Sequence, residues 1–324
     1  KNNNARSSSS TAANGNGGAI YIYGQENATL TLDSSRPYTF DNNTADYSGG
    51  AIYTVSNDVE ITGFEITTGN TAKSGGGGFI KTDGRVNIDD ATISNQQGAS
   101  GGAIYGGIVN ITNSTFNANK STNSGGAIYA VKSFSATDAS KFTNNGSDNT
   151  TYGGAVYSLG PVTIDKKCEF TGNSSNCGGA IYALGATTID DCEFTNNSTN
   201  AKSTTNNEAR GGGAIFISSD QASTITDSKF ENNSHQNNGN TGNGGGAIYV
   251  KGDITLNGDI FKTNLANGKD NAGGAVFVQS SPATLKNVLF DNNRAQGNGG
   301  ALHLASECVA DLSEVTFINN KSIG

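Results

Sequence analysis

Apolar residues in this chain come in short alternating bursts, never in long runs. Val86-Asn87-Ile88, Val109-Asn110-Ile111, Val162-Thr163-Ile164, Thr188-Ile189 and Ile254-Thr255-Leu256 show the type. A period of two over three to five residues is the signature of a strand with one buried face. Helical spacing is absent, and the intervening Gly, Asn and Thr are poor residues for a helix interior. Each burst is bounded by polar, glycine-rich sequence, which predicts many short strands separated by tight corners.

Two further elements recur in step with the bursts. Gly-Gly-Ala followed by an aliphatic residue occurs ten times, with Gly77-Gly78-Phe79 as a degenerate copy between the second and third. From Ala19 to Ala301, counting Phe79, the steps are 32, 28, 24, 24, 28, 25, 34, 33, 28 and 26 residues. The second element is Phe-x-x-Asn: Phe40/Asn43, Phe116/Asn119, Phe142/Asn145, Phe170/Asn173, Phe194/Asn197, Phe230/Asn233, Phe261/Asn264, Phe290/Asn293 and Phe317/Asn320. Ile66 and Ile93 hold the Phe place in two other copies. The distance from Ala to the next Phe or Ile is 13–16 residues in all copies but the first, whereas the return distance varies and takes up the polar insertions 198–211 and 234–244. A fixed unit with variable loops at one corner is how a solenoid is built.

The expected fold is therefore all-β: a right-handed, single-stranded parallel β-helix of about eleven three-strand coils. At ~4.8 Å per coil it would be a rod on the order of 50 Å long. Residues 1–16 read as a polar, flexible lead-in and 17–324 as the repeat domain. Gly-Gly is expected to turn a corner needing positive φ or close backbone approach. The Phe residues should stack inside as a core column. The Asn three positions on should tolerate a left-handed corner, and its side-chain amides should stack into a hydrogen-bonded ladder.

The position after the aliphatic residue of GGA[I/V/L] reads Tyr21, Tyr53, Lys81, Tyr105, Tyr129, Tyr157, Tyr182, Phe216, Tyr249, Phe277 and His303. Lys81 and His303 argue that this row faces out, because a core lysine is rare unless paired. The constantly small Ala, on the same face of the strand, argues the other way. The outward reading makes the nine aromatics a surface ladder, larger than the apolar strip most monomers expose, and a candidate docking surface.

Composition narrows the function. With 45 Gly, no Trp, no Met and a net charge of −8, the chain has no basic stripe for nucleic acid. No apolar run approaches the roughly 20 residues of a membrane-spanning helix. Catalysis on a β-helix needs clustered carboxylates, Arg or Lys, often with calcium. Here Asp89-Asp90 and Asp190-Asp191 fall at turn positions, and His235 and His303 have no evident partner. No enzyme, cofactor or metal site is expected. Cys168 and Cys192, each two residues before a Phe, should be neighbours facing the core. Their spacing permits a disulfide, but Ser114, Ser140 and Ser228 hold the same place elsewhere, so two buried thiols are expected. Cys177 and Cys308 stand apart. The Asn-x-Ser/Thr sequons, among them Asn27, Asn110, Asn113, Asn145 and Asn173, are what an Asn/Ser/Thr-rich chain contains by chance.

GGA[I/V/L] interleaved with FxxN across 17–320 resembles the repeat of chlamydial-type polymorphic outer-membrane protein (Pmp) autotransporter adhesins. The resemblance implies an exported passenger β-helix at the cell surface or outside the cell, attaching to a host cell-surface protein or glycan. No signal peptide precedes Lys1 and no barrel follows Gly324, so the segment reads as the passenger alone. The alternative expectation is a structural subunit whose rods self-associate end to end into a filament or sheath, because open solenoid ends invite pairing.

Overall fold

The computed structural model describes residues 2–6, 15–23, 28–36, 38–146, 150–201, 211–237, 244–268, 272–280, 282–305 and 307–323. Most of the polar insertions (202–210, 238–243), most of the lead-in and the sequon at Asn27 lie outside them. The described residues contain strands and turns only, and no helix long and apolar enough to cross a membrane. All strand pairs are parallel, each joining a residue to its counterpart one repeat later. Eleven GGA strands, from Ile20–Ile22 to Leu302–Leu304, stack in one column and bound ten turns. The middle strands, such as Val162–Ile164 and Thr187–Asp190, form a second column in the same sheet. The two columns share a sheet because Ile104–Thr112 and Ile128–Thr137 each run through both without a break. The Phe strands make a ten-stranded sheet of their own.

A fourth column was not anticipated. Directly after FxxN, short segments pair from coil to coil: Thr44–Ala45, Thr71–Ala72, Gln97–Ser100 and Lys120–Ser124 in one sheet, and Ser174–Ser175 through Lys321–Ser322 in another. Their residues are mostly small or polar, with Leu265 the one large aliphatic among them, so they lack the apolar alternation that reveals a strand. The expected lead-in also contributes here, since Asn4–Ala5 pairs with Thr44–Ala45.

Two glycines are needed at the GGA corner for two different reasons. Gly101 has φ +61°, in the left-handed region that a side chain disfavours. Gly102 is barred to any larger residue by its neighbour: a Cβ there would sit 2.0 Å from the Gly126 carbonyl oxygen of the next coil. The backbones of successive coils touch at this corner, and the pattern repeats at Gly126, Gly154 and Gly179.

Alternation in the Phe strands turns Phe inward and its charged or polar neighbours outward, as in Glu169-Phe170-Thr171. Phe116 through Phe317 form one column with ring centroids 4.6–5.3 Å apart and planes within 12°. Phe40 is buried but meets Phe79 edge-on; Ile66 and Ile93 fill the column between it and Phe116. The expectation of a buried core fails at Phe317, which is 48% exposed because no described coil covers it.

The FxxN asparagines form the expected ladder, but not at the expected corner. Positive φ falls one residue earlier, at Asn144 (53°), Asn196 (57°) and Asn232 (55°). Asn145, Asn173, Asn197, Asn233 and Asn264 are instead fully buried. In each, the backbone N–H and the side-chain Nδ2 both donate to Oδ1 of the next coil's Asn, at 2.9–3.0 Å. Nδ2 uses its second hydrogen on the carbonyl of the Phe one coil back, at 2.8–2.9 Å. Both amide hydrogens and both lone pairs are thus engaged, which makes a buried amide tolerable. The ladder runs down through Asn119, Gln96, Asn70 and Asn43 to Asn3 and ends at Asn293 and Asn320.

Cys168 and Cys192 are buried neighbours with free thiols. Cys168 Sγ donates to the Asp165 carbonyl at 3.1 Å and Cys192 Sγ to that of Asp190 at 3.0 Å. Contact with Cys168, then burial, holds the Cys192 thiol far above its ordinary range, so it stays protonated. In the same row, Ser114 donates its backbone N–H to the Ser140 hydroxyl and Cys192 to that of Ser228. Cys168→Ser fits that row and is expected to change unfolding stability by less than about 1 kcal/mol. A melting curve of the unsubstituted protein that shifts on adding reductant would contradict the free pair.

Candidate functional site

The aromatic row of the GGA strands is in register through the rod, from Tyr21↔Tyr53 to Phe277↔His303. It lies on the side of the strand opposite the aliphatic residue, outside the main core. Consecutive rings stack at 4.6–5.4 Å: Tyr21 on Tyr53, then Tyr105, Tyr129, Tyr157, Tyr182, Phe216, Tyr249, Phe277 and finally the His303 imidazole. Lys81 occupies the one rung without a ring. Its ammonium lies 4.7 Å from the Tyr105 centroid and 5.8 Å from that of Tyr53, and it pairs with Asp83 at 2.5 Å. The two residues that suggested solvent exposure therefore belong to the stack, one by a cation–π contact and one as a ring.

Exposure along the row changes with height. Tyr21 is 53% exposed, and Tyr53, Tyr105, Tyr129, Tyr157 and Tyr182 are half-buried. Phe216, Tyr249 and Phe277 are 5%, 0% and 0% exposed, so the expectation of a surface ladder is wrong for these three. They form a second apolar cluster with Cys177 and Ala272, against which Tyr152, Tyr182 and Ala305 pack. The longer coils add an extra strand pair beside them, Gly211–Gly212 with Gly244–Gly245. The buried Tyr249 hydroxyl bonds the Gln279 amide oxygen.

The row passes from open to buried at a cleft of about 250 Å3. Among the described residues it is lined by Tyr157, Tyr182 and Phe216 of the row together with Tyr152, Cys177, Ser218 and Lys251. Ser218 and Lys251 stand two residues beyond Phe216 and Tyr249, on the same outward face. Tyr152 precedes Gly153-Gly154, where other coils carry Ser48, Gly76, Ser100 or Ser124. Its ring crosses the stack, 4.8 Å from Tyr182 at 53° and 6.1 Å from Tyr157 at 36°. Burial, helped by Tyr129 and Tyr152, pushes the Tyr157 phenol up to about 12, so its hydroxyl stays neutral and can donate. Sequence reasoning missed Tyr152, Ser218 and Lys251; the one available signal was a large ring where its counterparts are small.

The remaining candidates do not gather. Asp90 and Asp191 are left-handed turn residues. His235 is buried far from His303 in the chain, with Nδ1 2.6 Å from the Thr199 hydroxyl. No group of three or more His, Cys, Asp and Glu side chains comes together among the described residues.

Four stretches, 37–55, 113–131, 167–184 and 287–305, match the Chlamydia polymorphic membrane protein repeat. Each runs from a core Phe or the residues before it, through the ladder Asn and the Gly-Gly corner, to an aromatic-row residue. The chain is similar to the probable outer membrane protein pmp6 of Chlamydia pneumoniae, at 36% identity over 160 residues, 40% of this chain and 12% of that protein. It is also similar to the probable autotransporter YfaL of Escherichia coli (strain K12), at 33% identity over 102 residues, 29% of this chain and 8% of that protein. The matches thus span about a tenth of those relatives' length. No solved structure gives a significant match. The chain is thus a parallel β-solenoid segment whose repeats are similar to those of a polymorphic membrane protein and a probable autotransporter.

Proposed function

We propose that this rod is a surface-displayed, non-enzymatic adhesive segment, outside the cell or at the outer membrane, that holds a partner surface through its half-exposed tyrosine row. The observation that carries the reading is the register of Tyr105, Tyr129, Tyr157 and Tyr182, four phenols at one-coil spacing on an outward face. Repeat matches to an outer membrane protein and an autotransporter support the placement. Because the rings stack on one another, the row shows the partner ring edges and hydroxyls rather than ring faces. Individually such contacts are weak, and they add when several engage one surface at once.

The test is attachment of beads coated with the chain to cultured epithelial cells. Changing Tyr105, Tyr129, Tyr157 and Tyr182 together to Ser is expected to cut attachment about tenfold or more, with an unchanged β circular dichroism spectrum. Attachment that survives the fourfold change removes the row from the mechanism. Electron microscopy of the purified chain is expected to show dispersed rods; ordered polymers would favour the filament alternative instead.

A further inference from the structure

We propose that the cleft lined by Tyr152, Tyr157, Tyr182, Phe216, Ser218 and Lys251 seats a single pyranose ring at the end of a glycan. This rests on the adhesive reading and names the ligand class at one point of the same row. Sugars bind aromatic residues by laying their C–H face on a ring face, with hydroxyls bonded at the margin. Rungs of the row cannot serve, because each covers the faces of its neighbours, with interplanar angles of 3–12° through most of the stack. Tyr152 is different. Tilted 53° from Tyr182 and 36° from Tyr157, it stands outside the stack and cannot hide both faces in it.

The margin supplies what a sugar needs. The Ser218 hydroxyl, the Lys251 ammonium and the neutral Tyr157 phenol lie around the same 250 Å3. That volume is below the roughly 300–1,000 Å3 of drug-sized ligand sites, which suits one ring and not an extended chain. A peptide strand is disfavoured because the adjoining strands, Val156–Ser158, Ile181–Ala183 and Ile215–Ile217, are paired with coils on both sides. A multiply charged anion is disfavoured because Lys251 is the one cation among the described lining residues, on a chain of net charge −8.

Saturation-transfer NMR with the methyl glycosides of mannose, galactose, N-acetylglucosamine and glucuronic acid, each at millimolar concentration, tests this on the whole chain. Ring-proton signals are expected for at least one glycoside, and the glucuronide arm tells an acidic from a neutral sugar. Tyr152→Ala, which removes the tilted ring but no rung, and Ser218→Trp, which fills the cleft, are each expected to abolish the signal. Val309→Ser, exposed on the last coil and outside the row, should leave it intact. Absence of signal from all four glycosides overturns the proposal, and so does a signal that persists in a folded Tyr152→Ala or Ser218→Trp protein. Bead attachment without any glycoside signal leaves the adhesive reading standing and removes this one. A cleft-dependent glycoside signal without attachment does the reverse.

Discussion

Asn173→Ala is expected to destabilise the rod by about 4 kcal/mol, more than any surface change. The substitution orphans two buried donors, the backbone N–H and one Nδ2 hydrogen of Asn145, and strips an acceptor bond each from Phe142 and Asn197. An unsatisfied buried group costs about 1–3 kcal/mol. In a solenoid each coil is held mainly by its neighbours, so a weak interface in the middle should split one unfolding transition into two. Asn320→Ala, in the partly exposed last rung, should cost less than half as much. Urea unfolding followed by circular dichroism reads both. A loss below about 1 kcal/mol for Asn173→Ala would mean that the ladder merely decorates the Phe stack.

The second large effect is on pH dependence, and it comes from two buried groups that pull in opposite directions. His235 sits in a row of small residues (Ala45, Ala72, Thr199, Ala266) and fits only because Gly211 and Gly244 lack side chains. Burial lowers it to about 4 from 6.5. The unfolded chain takes up this proton first, so stability falls as pH drops from 6.5 to 4, by about 3 kcal/mol at ~1.4 kcal/mol per pH unit. Asp259 is raised to about 8 from 3.8, chiefly by burial, although Ser228 and Asn257 donate backbone N–H groups to it. Here the folded state keeps its proton while the unfolded state has lost it, so stability falls as pH rises from 3.8 to 8.

Between pH 4 and 6.5 the two slopes nearly cancel, and the unsubstituted protein should look insensitive to mild acid. Asp259→Ser removes one of them. Its row already accepts Ser114, Ser140 and Ser228, whose hydroxyls can take the same backbone N–H bond. The variant should be on the order of 2–4 kcal/mol more stable at pH 7, and should lose about 3 kcal/mol on acidification to pH 4. Adding His235→Gln should flatten that loss. Melting midpoints across pH 4–8 that run parallel for all three proteins would sink the account.

How much was legible in the sequence differs from column to column. The Phe and Asn columns announce themselves because one coil dictates the residue of the next, at 4.6–5.3 Å in the rings and through shared hydrogen bonds in the amides. The fourth column is silent, since Ser and Ala pair through backbone alone. The aromatic row misled in both directions. Lys81 looked like a mark of solvent but is held between two rings. Phe216, Tyr249 and Phe277 repeat the letters of the open rungs, yet they are buried in a cluster with Cys177 and Ala272. Burial there depends on contacts between residues far apart in the chain, which a periodic pattern does not record.

Every ladder amide from Asn119 to Asn293 points the same way, giving one N–H to the oxygen of the following coil's amide and turning its own oxygen to the amide of the coil before. The rod consequently has a head and a tail in its interior chemistry, not just in its chain direction. One end of the amide file presents donors and the other acceptors. Any coil or second rod continuing the file must meet it in the same sense, and two like ends brought together would oppose N–H to N–H or oxygen to oxygen.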